Sequence, residues 1–294
     1  MKNDFDKIVL GTASIGGVWG TVDFKESIAT ILFALEKGIN QIDTAPAYMD
    51  AELMVGKALS QWHGNAPFVS TKIGKKKGMA TETGLIDYSD DYLKRSLDNS
   101  LTVLNVSKID LLFLHEPSEI DPLQINRILK TIHSFKEQGL IKEIGLGGAP
   151  LPWMTPIINE GVFTTIMDFN GYNLIDKKPL LQKVDLFEKN NMSIYEASPL
   201  MMGVLGDKLK ENLKNPSDWL TKSTMDKVMR LKQLGEKMNI SLSEMAHRFL
   251  LKDYLLSKIV IGPSNLIQLK QTMWSFQKGK LPVLVLEEIN KVLR

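Results

Sequence analysis

Four polar residues stand at or just past the ends of short apolar runs. Asp43 closes Gln41-Ile-Asp43, Lys72 closes Phe68-Val-Ser-Thr-Lys72, His115 closes Ile109–His115, and Tyr48 follows Asp43 within the next loop. A free phenol has a pKa of about 10, too high for easy proton exchange near neutrality. An ammonium beside it favours the phenolate, and a carboxylate paired with that ammonium keeps it charged and in place. The four therefore read as one proton-transfer unit. Tyr48 gives a proton to a carbonyl oxygen or takes one from a hydroxyl, Lys72 and Asp43 tune it, and His115 hydrogen-bonds the same oxygen. Each residue alone has a plainer reading. Asp43 fits a satisfied loop carboxylate, and His115 a structural imidazole. Lys72 opens the basic run Lys72-Ile-Gly-Lys75-Lys76-Lys77, and such runs are usually solvated surface. Lys75, Lys76 and Lys77 are expected to be just that; Lys72 differs because it ends an apolar run.

The elements that position these residues are legible as alternating patterns. Candidate strands are Lys7–Gly11, Gln41–Thr44, Phe68–Lys72, Ile109–His115, Glu143–Gly147, Thr165–Phe169, Met192–Ala197 and Lys258–Gly262. They are apolar on successive residues, as expected of parallel strands buried on both faces. Helical stripes lie between them. One is Ile28, Ile31, Leu32 and Leu35, with Gly38 as a stop; others are Leu93, Leu97, Leu101, Leu104 and Ile125, Ile128, Leu129, Ile132, Phe135. Eight such alternations favour a closed (β/α)8 TIM barrel, in which strand ends share one mouth. A doubly wound Rossmann sheet would want G-x-G-x-x-G after a strand, and Gly11-Thr-Ala-Ser-Ile-Gly16-Gly17 has the wrong spacing. About 60 residues separate strands seven and eight, so an insertion is expected there within one domain spanning residues 1–294.

Composition narrows the class without naming it. The 294 residues are 44% hydrophobic and 24% charged, with a formal charge of +2. That charge provides no strong field for nucleic acid or anionic lipid. The absence of Cys removes disulfides and thiolate nucleophiles. No apolar run approaches the ~20 residues of a membrane span, and the first residues lack the apolar core of a signal peptide. A cytoplasmic location is the expectation, with a small molecule as the partner.

At these residues the sequence resembles the aldo-keto reductases. Gly38-Ile-Asn-Gln-Ile-Asp43-Thr-Ala-Pro-Ala-Tyr48, followed by Glu52 and Gly56, is similar to that family's G-x-N-x-x-D-T-A-x-x-Y…E…G segment. Ser70-Thr-Lys72-Ile-Gly resembles its lysine strand. Lys94-Arg-Ser-Leu-Asp-Asn-Ser-Leu, leading to Asp110-Leu-Leu-Phe-Leu-His115, resembles its histidine strand. The resemblance implies NAD(P)-dependent interconversion of a carbonyl and an alcohol, with Asp43, Tyr48, Lys72 and His115 as the catalytic tetrad. Gly16-Gly-Val-Trp-Gly20, Asp87–Arg95 and Ala197-Ser-Pro-Leu-Met-Met-Gly203 resemble the branch of L-galactose dehydrogenase and D-threo-aldose 1-dehydrogenase. That narrower likeness implies oxidation of an anomeric hydroxyl to a lactone, with Tyr48 as base.

The resemblance also implies where a dinucleotide would lie. Gly11, Thr12 and Asp43 would serve it from the first two strands, and Ser198, Leu200, Met201, Gly203 and Leu205 from the loop after strand seven. Gly262, Ser264 and Gln268 would serve it from the last loop. The usual G-V-S-N after strand five is Gly145-Leu-Gly147-Gly148 here, and the usual strand-six Gln is Phe169, with Asn170 as a possible substitute. The last loop precedes a helix, whose free N–H groups suit a phosphate, and Ser264 also reads as its N-cap. Lys270 is the only close cation, and without a bidentate Arg a 2′-phosphate loses its natural partner. NAD is therefore expected over NADP. Trp19, Trp153 and Trp219 are candidate sugar-facing aromatics beside Tyr48 and His115, although packing is the plainer role of a Trp. The Met201-Met202 pair reads as packing near the cofactor. Other readings stay open: a pyridoxal or small-aldehyde reductase, a nucleotide-binding regulatory subunit without turnover, and a Schiff-base aldolase acting through Lys72.

Overall fold

The computed structural model describes residues 5–78, 85–252 and 254–294. The first four residues, part of the N-terminal stretch read for a signal peptide, lie outside them. Eight parallel strands close into a barrel: β1 (Ile8–Gly11), β2 (Gln41–Asp43), β3 (Phe68–Ile73), β4 (Ile109–His115), β5 (Ile141–Gly147), β6 (Thr165–Phe169), β7 (Ser193–Ala197) and β8 (Lys258–Ile261). β8 pairs with β1, with Ile8 opposite Ile259, so no edge is left open. Strands fall within one or two residues of the expected spans. This is the (β/α)8 TIM barrel, not the open sheet.

Successive apolar residues are needed because each strand feeds two cores. Val9, Leu111, Phe113, Met167, Tyr195, Ala197 and Val260 fill the barrel interior. Their neighbours, such as Leu112 and Leu114, join the larger core between strands and helices. The helical stripes occupy that outer layer. α1 (Phe24–Glu36) is capped by Asp23, whose carboxylate accepts from the Glu26 N–H at 2.9 Å. α2 (Ala51–Gln61) follows the Tyr48 loop, and α3 (Asp90–Leu104) starts at a Ser89 cap. α4 (Ile125–Glu137) buries the Ile125, Ile128, Leu129, Ile132 and Phe135 stripe. Short helices α5 (Thr155–Asn159), α6 (Lys178–Leu181) and α7 (Val184–Lys189) serve β6 and β7.

The long segment between β7 and β8 is helical over much of its length: α8 (Leu209–Lys214), α9 (Lys222–Met238) and α10 (Leu242–Leu250). α11 (Leu266–Gln277) follows β8 and packs on α10, while α12 (Val283–Leu293) packs on α9. No helix among the described residues is long and apolar enough to cross a membrane.

Candidate active site

β2, β3 and β4 deliver the site through a register staggered by two residues per strand, which keeps the three side chains on one face. Asp43 pairs with Ser70, and Lys72 with Phe113 two residues before His115. Asp43 and Lys72 are each about 3% exposed, and the Lys72 Nζ lies 2.5 Å from Asp43 Oδ2. A second donor, the Ser70 hydroxyl, holds Oδ1 at 2.8 Å, and the Lys72 ammonium also donates to the Thr44 carbonyl at 3.1 Å. A buried pair is tolerable when its remaining donors and acceptors are met this way. Tyr48 lies beside it, with Nζ 4.7 Å from the centre of the phenol ring. The His115 ring meets the Tyr48 ring edge-on, at 5.8 Å and 89°.

The loop carrying Tyr48 is clamped from outside. A Cβ at Gly16 would come within 2.5 Å of the Tyr48 carbonyl and of Ala51 Cβ, so only glycine lets the β1 loop lie against it. The Gly16 carbonyl then accepts from the Asp50 N–H at 3.1 Å. β3 is tied from its outer face. The Thr71 hydroxyl donates to buried Glu52 of α2 at 2.6 Å, and the other Glu52 oxygen accepts from Ser100 of α3 at 3.2 Å.

Burial sets the charges. Burial would lower the Lys72 pKa, but the Asp43 carboxylate and Tyr48 more than offset it and hold the ammonium above its usual range. Burial also pushes the Tyr48 phenol up; Lys72 pulls it back, while Asp43 and Glu116 push it further up. The net direction is upward, against the sequence expectation that the ammonium would lower it, because desolvation outweighs the Lys72 field. The resting phenol carries its proton. His115 is driven well below the usual imidazole range by burial, then by Lys72 and Lys75, so its ring is neutral. Its Nδ1 has no hydrogen-bond partner. A proton-bearing phenol and a neutral imidazole beside a fixed ion pair can share one substrate oxygen. An ammonium held protonated is a poor Schiff-base nucleophile, which argues against the aldolase reading.

The tetrad lines one end of a cavity of about 1090 Å³. Most expected cofactor residues line it too: Gly11, Thr12, Asp43, Gly147, Gly148 and Phe169, then Ser198, Leu200, Gly203, Gly262, Ser264 and Gln268. Three do not. Asn170 adopts a left-handed turn and its side chain accepts from Asn173 at 3.1 Å; Met201 and Leu205 are buried in the outer core. Met202 lines the cavity in their place. Of the aromatics, Trp19 lines it, Trp153 packs against the outer core, and Trp219 is 46% exposed away from it. The cap of α11 is Asn265 rather than Ser264, because the helix starts at Leu266 and the Asn265 side chain accepts from the Gln268 N–H.

Other walls of this cavity have no signal of their own in the sequence. Lys75, expected on the solvated surface, lines it with Glu116, to which it is ion-paired. Lys76 and Lys77 are exposed, as expected, and pair with Asp87 and Asp50. Asp207 and Lys208 line it after β7, and Ser241, His247, Gln271 and Thr272 line the far end between α10 and α11. Only the rule that barrel loops share one mouth could have pointed to Glu116, next to His115.

The cavity fits a dinucleotide in shape. It runs from the tetrad to the first turns of α11, and a Cβ at Gly262 would meet nothing nearer than Ser14 Oγ at 3.7 Å. A Cβ at Gly147 would touch the Leu114 carbonyl at 3.1 Å and the Lys72 stem at 3.6 Å. That is where the resemblance placed a serine; the tight neighbours of a side chain there are the Leu114 carbonyl and the Phe113 Cβ at 3.2 Å.

The profile of the Aldo/keto reductase family matches residues 7–294. The chain belongs to that family. It is thus an oxidoreductase that uses a nicotinamide cofactor. L-galactose dehydrogenase of Arabidopsis thaliana is 26% identical over 273 residues, covering 90% of this chain and 82% of that protein. D-arabinose 1-dehydrogenase of Saccharomyces cerevisiae is 25% identical over 287 residues, covering 92% and 82%. In fold, the chain is similar to the glycerol dehydrogenase of Gluconobacter oxydans, with a TM-score of 0.78, 24% identity and coverage of 98% of this chain and 91% of that one.

Proposed function

We propose that this enzyme oxidises the anomeric hydroxyl of an aldose to a lactone, with NAD as the preferred acceptor. The observation that carries the reading is the buried Lys72–Asp43 pair set against Tyr48, with neutral His115 completing the pocket for one oxygen. The bound nicotinamide supplies the hydride chemistry. The chain's own residues handle the proton. Tyr48 Oη takes it from the C1 hydroxyl, Lys72 stabilises the phenolate from which that step starts, and Asp43 keeps Lys72 charged. His115, neutral, orients the hydroxyl without competing for its proton. In reduction the resting phenol donates directly. The sugar-dehydrogenase names of the relatives support an aldose as substrate.

The NAD preference rests on the far end of the cavity. Gln268 donates to Asp207 Oδ2 at 2.9 Å and accepts from the Ser264 N–H at 2.7 Å, which fixes a carboxylate on the cavity wall. A carboxylate suits ribose hydroxyls and repels a 2′-phosphate. Lys270, the cation the sequence offered, lies 5.1 Å over the Phe33 ring and does not line the cavity. The test is a panel of aldoses, pyridoxal and 4-nitrobenzaldehyde followed at the reduced-nicotinamide absorbance, with NAD and NADP side by side. Turnover of aldoses with NAD is expected. Turnover of pyridoxal or the aromatic aldehyde with no aldose oxidised would overturn the substrate reading, and a preference for NADP would overturn the cofactor reading.

A further inference from the structure

Two charged side chains share the substrate end of the cavity with the tetrad, and act on Tyr48 and His115 only through their charge. Lys75 lies just past β3, and its backbone carbonyl accepts from the Tyr92 hydroxyl at 3.0 Å. Glu116 follows His115 directly. It sits in the left-handed region at φ 52°, where a glutamate is uncommon, and its N–H donates to the Gly147 carbonyl at 2.9 Å. The two are ion-paired across the gap between their loops, with side chains 27% and 41% exposed, and both line the cavity. An ion pair so exposed contributes little to stability. Beside Tyr48 and His115, it has another use.

We propose that Lys75 and Glu116 form a hydroxyl-reading pair for the substrate. Glu116 accepts from one hydroxyl of a vicinal diol and Lys75 donates to its neighbour, which selects a neutral polyhydroxylated hemiacetal. This rests on the aldose reading above and names what that site recognises. A vicinal diol offers one donor and one acceptor side by side, and the pair offers the complement. A bare hemiacetal leaves both charges without that exchange, and a site built to bond hydroxyls rejects an analogue lacking them. A carboxylate-bearing sugar meets the Glu116 charge, and the cation it would seek is already taken.

The experiment compares the best aldose of the panel with 2-hydroxytetrahydropyran, the same ring hemiacetal without further hydroxyls, and with galacturonate. kcat and KM are measured separately for the unchanged protein, Glu116→Gln, Lys75→Met and Lys75→Arg. Loss of a charge-assisted hydrogen bond should raise the aldose KM about tenfold or more in Glu116→Gln and Lys75→Met. The bare hemiacetal should change several-fold less, and Lys75→Arg should keep most of the aldose affinity. Equal changes on both substrates would mark the pair as a loop strap and overturn the proposal. So would galacturonate as the preferred substrate of the unchanged protein. If Glu116→Gln fails to fold, the Lys75→Met and Lys75→Arg comparison still decides. An unchanged protein that oxidises no aldose defeats the function reading itself. One that oxidises aldoses while the variants keep their aldose KM defeats only this inference.

Discussion

The mouth over β2, β3 and β4 and the arc from the β7 loop to α11 wall the same cavity by different means. The first is made of strand ends, with Asp43 and Lys72 almost wholly buried and tied into register. The second is made of loops and a helix start. Ser198, Met201, Met202 and Gly203 all take positive φ there, and Asp207 is held by one side-chain bond to Gln268. Proton transfer needs groups fixed to fractions of an ångström; sheet hydrogen bonds fix Asp43, Lys72 and His115, and the close approach of Gly16 holds the Tyr48 loop. Holding a long cofactor needs a surface that opens and closes, and loops supply that. On the proposed reading, the chemistry falls to the first region and the cofactor grip to the second.

The sharpest break in that contrast is Tyr48→Phe. It removes the proton carrier and leaves the arc alone, so turnover should fall about 10²–10⁴-fold while nucleotide affinity, read by fluorescence quenching, stays within about threefold. Equal loss of both would mean that the two regions are not separable. Lys72→Met comes next. It strands a buried carboxylate, so besides losing activity the barrel should lose about 3–5 kcal/mol in denaturant unfolding. An unchanged midpoint would show that Asp43 finds another partner.

The pH profile follows in size. Oxidation needs Tyr48 as phenolate, so its kcat/KM should climb with pH into the alkaline range, because the phenol sits above its ordinary value. Reduction needs the phenol and should fall over the same range. His115 titrates well below its usual range, so neither profile should bend near pH 6.5 on its account. A bend there that vanished in His115→Gln would contradict the neutral ring. The smallest effect is on the loop side: Asp207→Asn should narrow the preference for NAD over NADP by about tenfold with kcat little changed. A drop in kcat instead would place Asp207 in the chemistry.

The same contrast governs what the sequence discloses. Asp43, Lys72 and His115 are legible because a run of apolar residues announces a strand, and in a barrel polar residues at the C-terminal end of a strand face the mouth. β3 runs one residue further, to Ile73, which packs in the outer core. Tyr48 is legible from its neighbours rather than from its own position. The direction of its pKa was not, since that depends on how deeply the loop is buried. Lys75 reads as surface because a basic run has no pattern to separate its members, and only the partner on another loop does so. Asn265 displaced Ser264 as the cap because helix starts are uncertain by a residue or two when two capping residues adjoin. Trp153 and Trp219 show that an aromatic residue type carries no direction. Asp207 and His247 depend on where a long helical segment folds back, which no local spacing encodes.

The tie from Glu52 to Thr71 and Ser100 bears on how the chain finds this structure at all. Neighbouring residues of a strand face opposite sides, so a slip of one position would turn Lys72 into the helix layer and Thr71 into the cavity. Such a slip would still bury apolar side chains, since β3 is covered on both faces. It would carry the Thr71 hydroxyl away from the buried Glu52 carboxyl and the Lys72 ammonium away from Asp43. A bond remote from substrate thus acts as a checkpoint on threading. Together with the buried Lys72–Asp43 pair, it favours the one register that yields an enzyme.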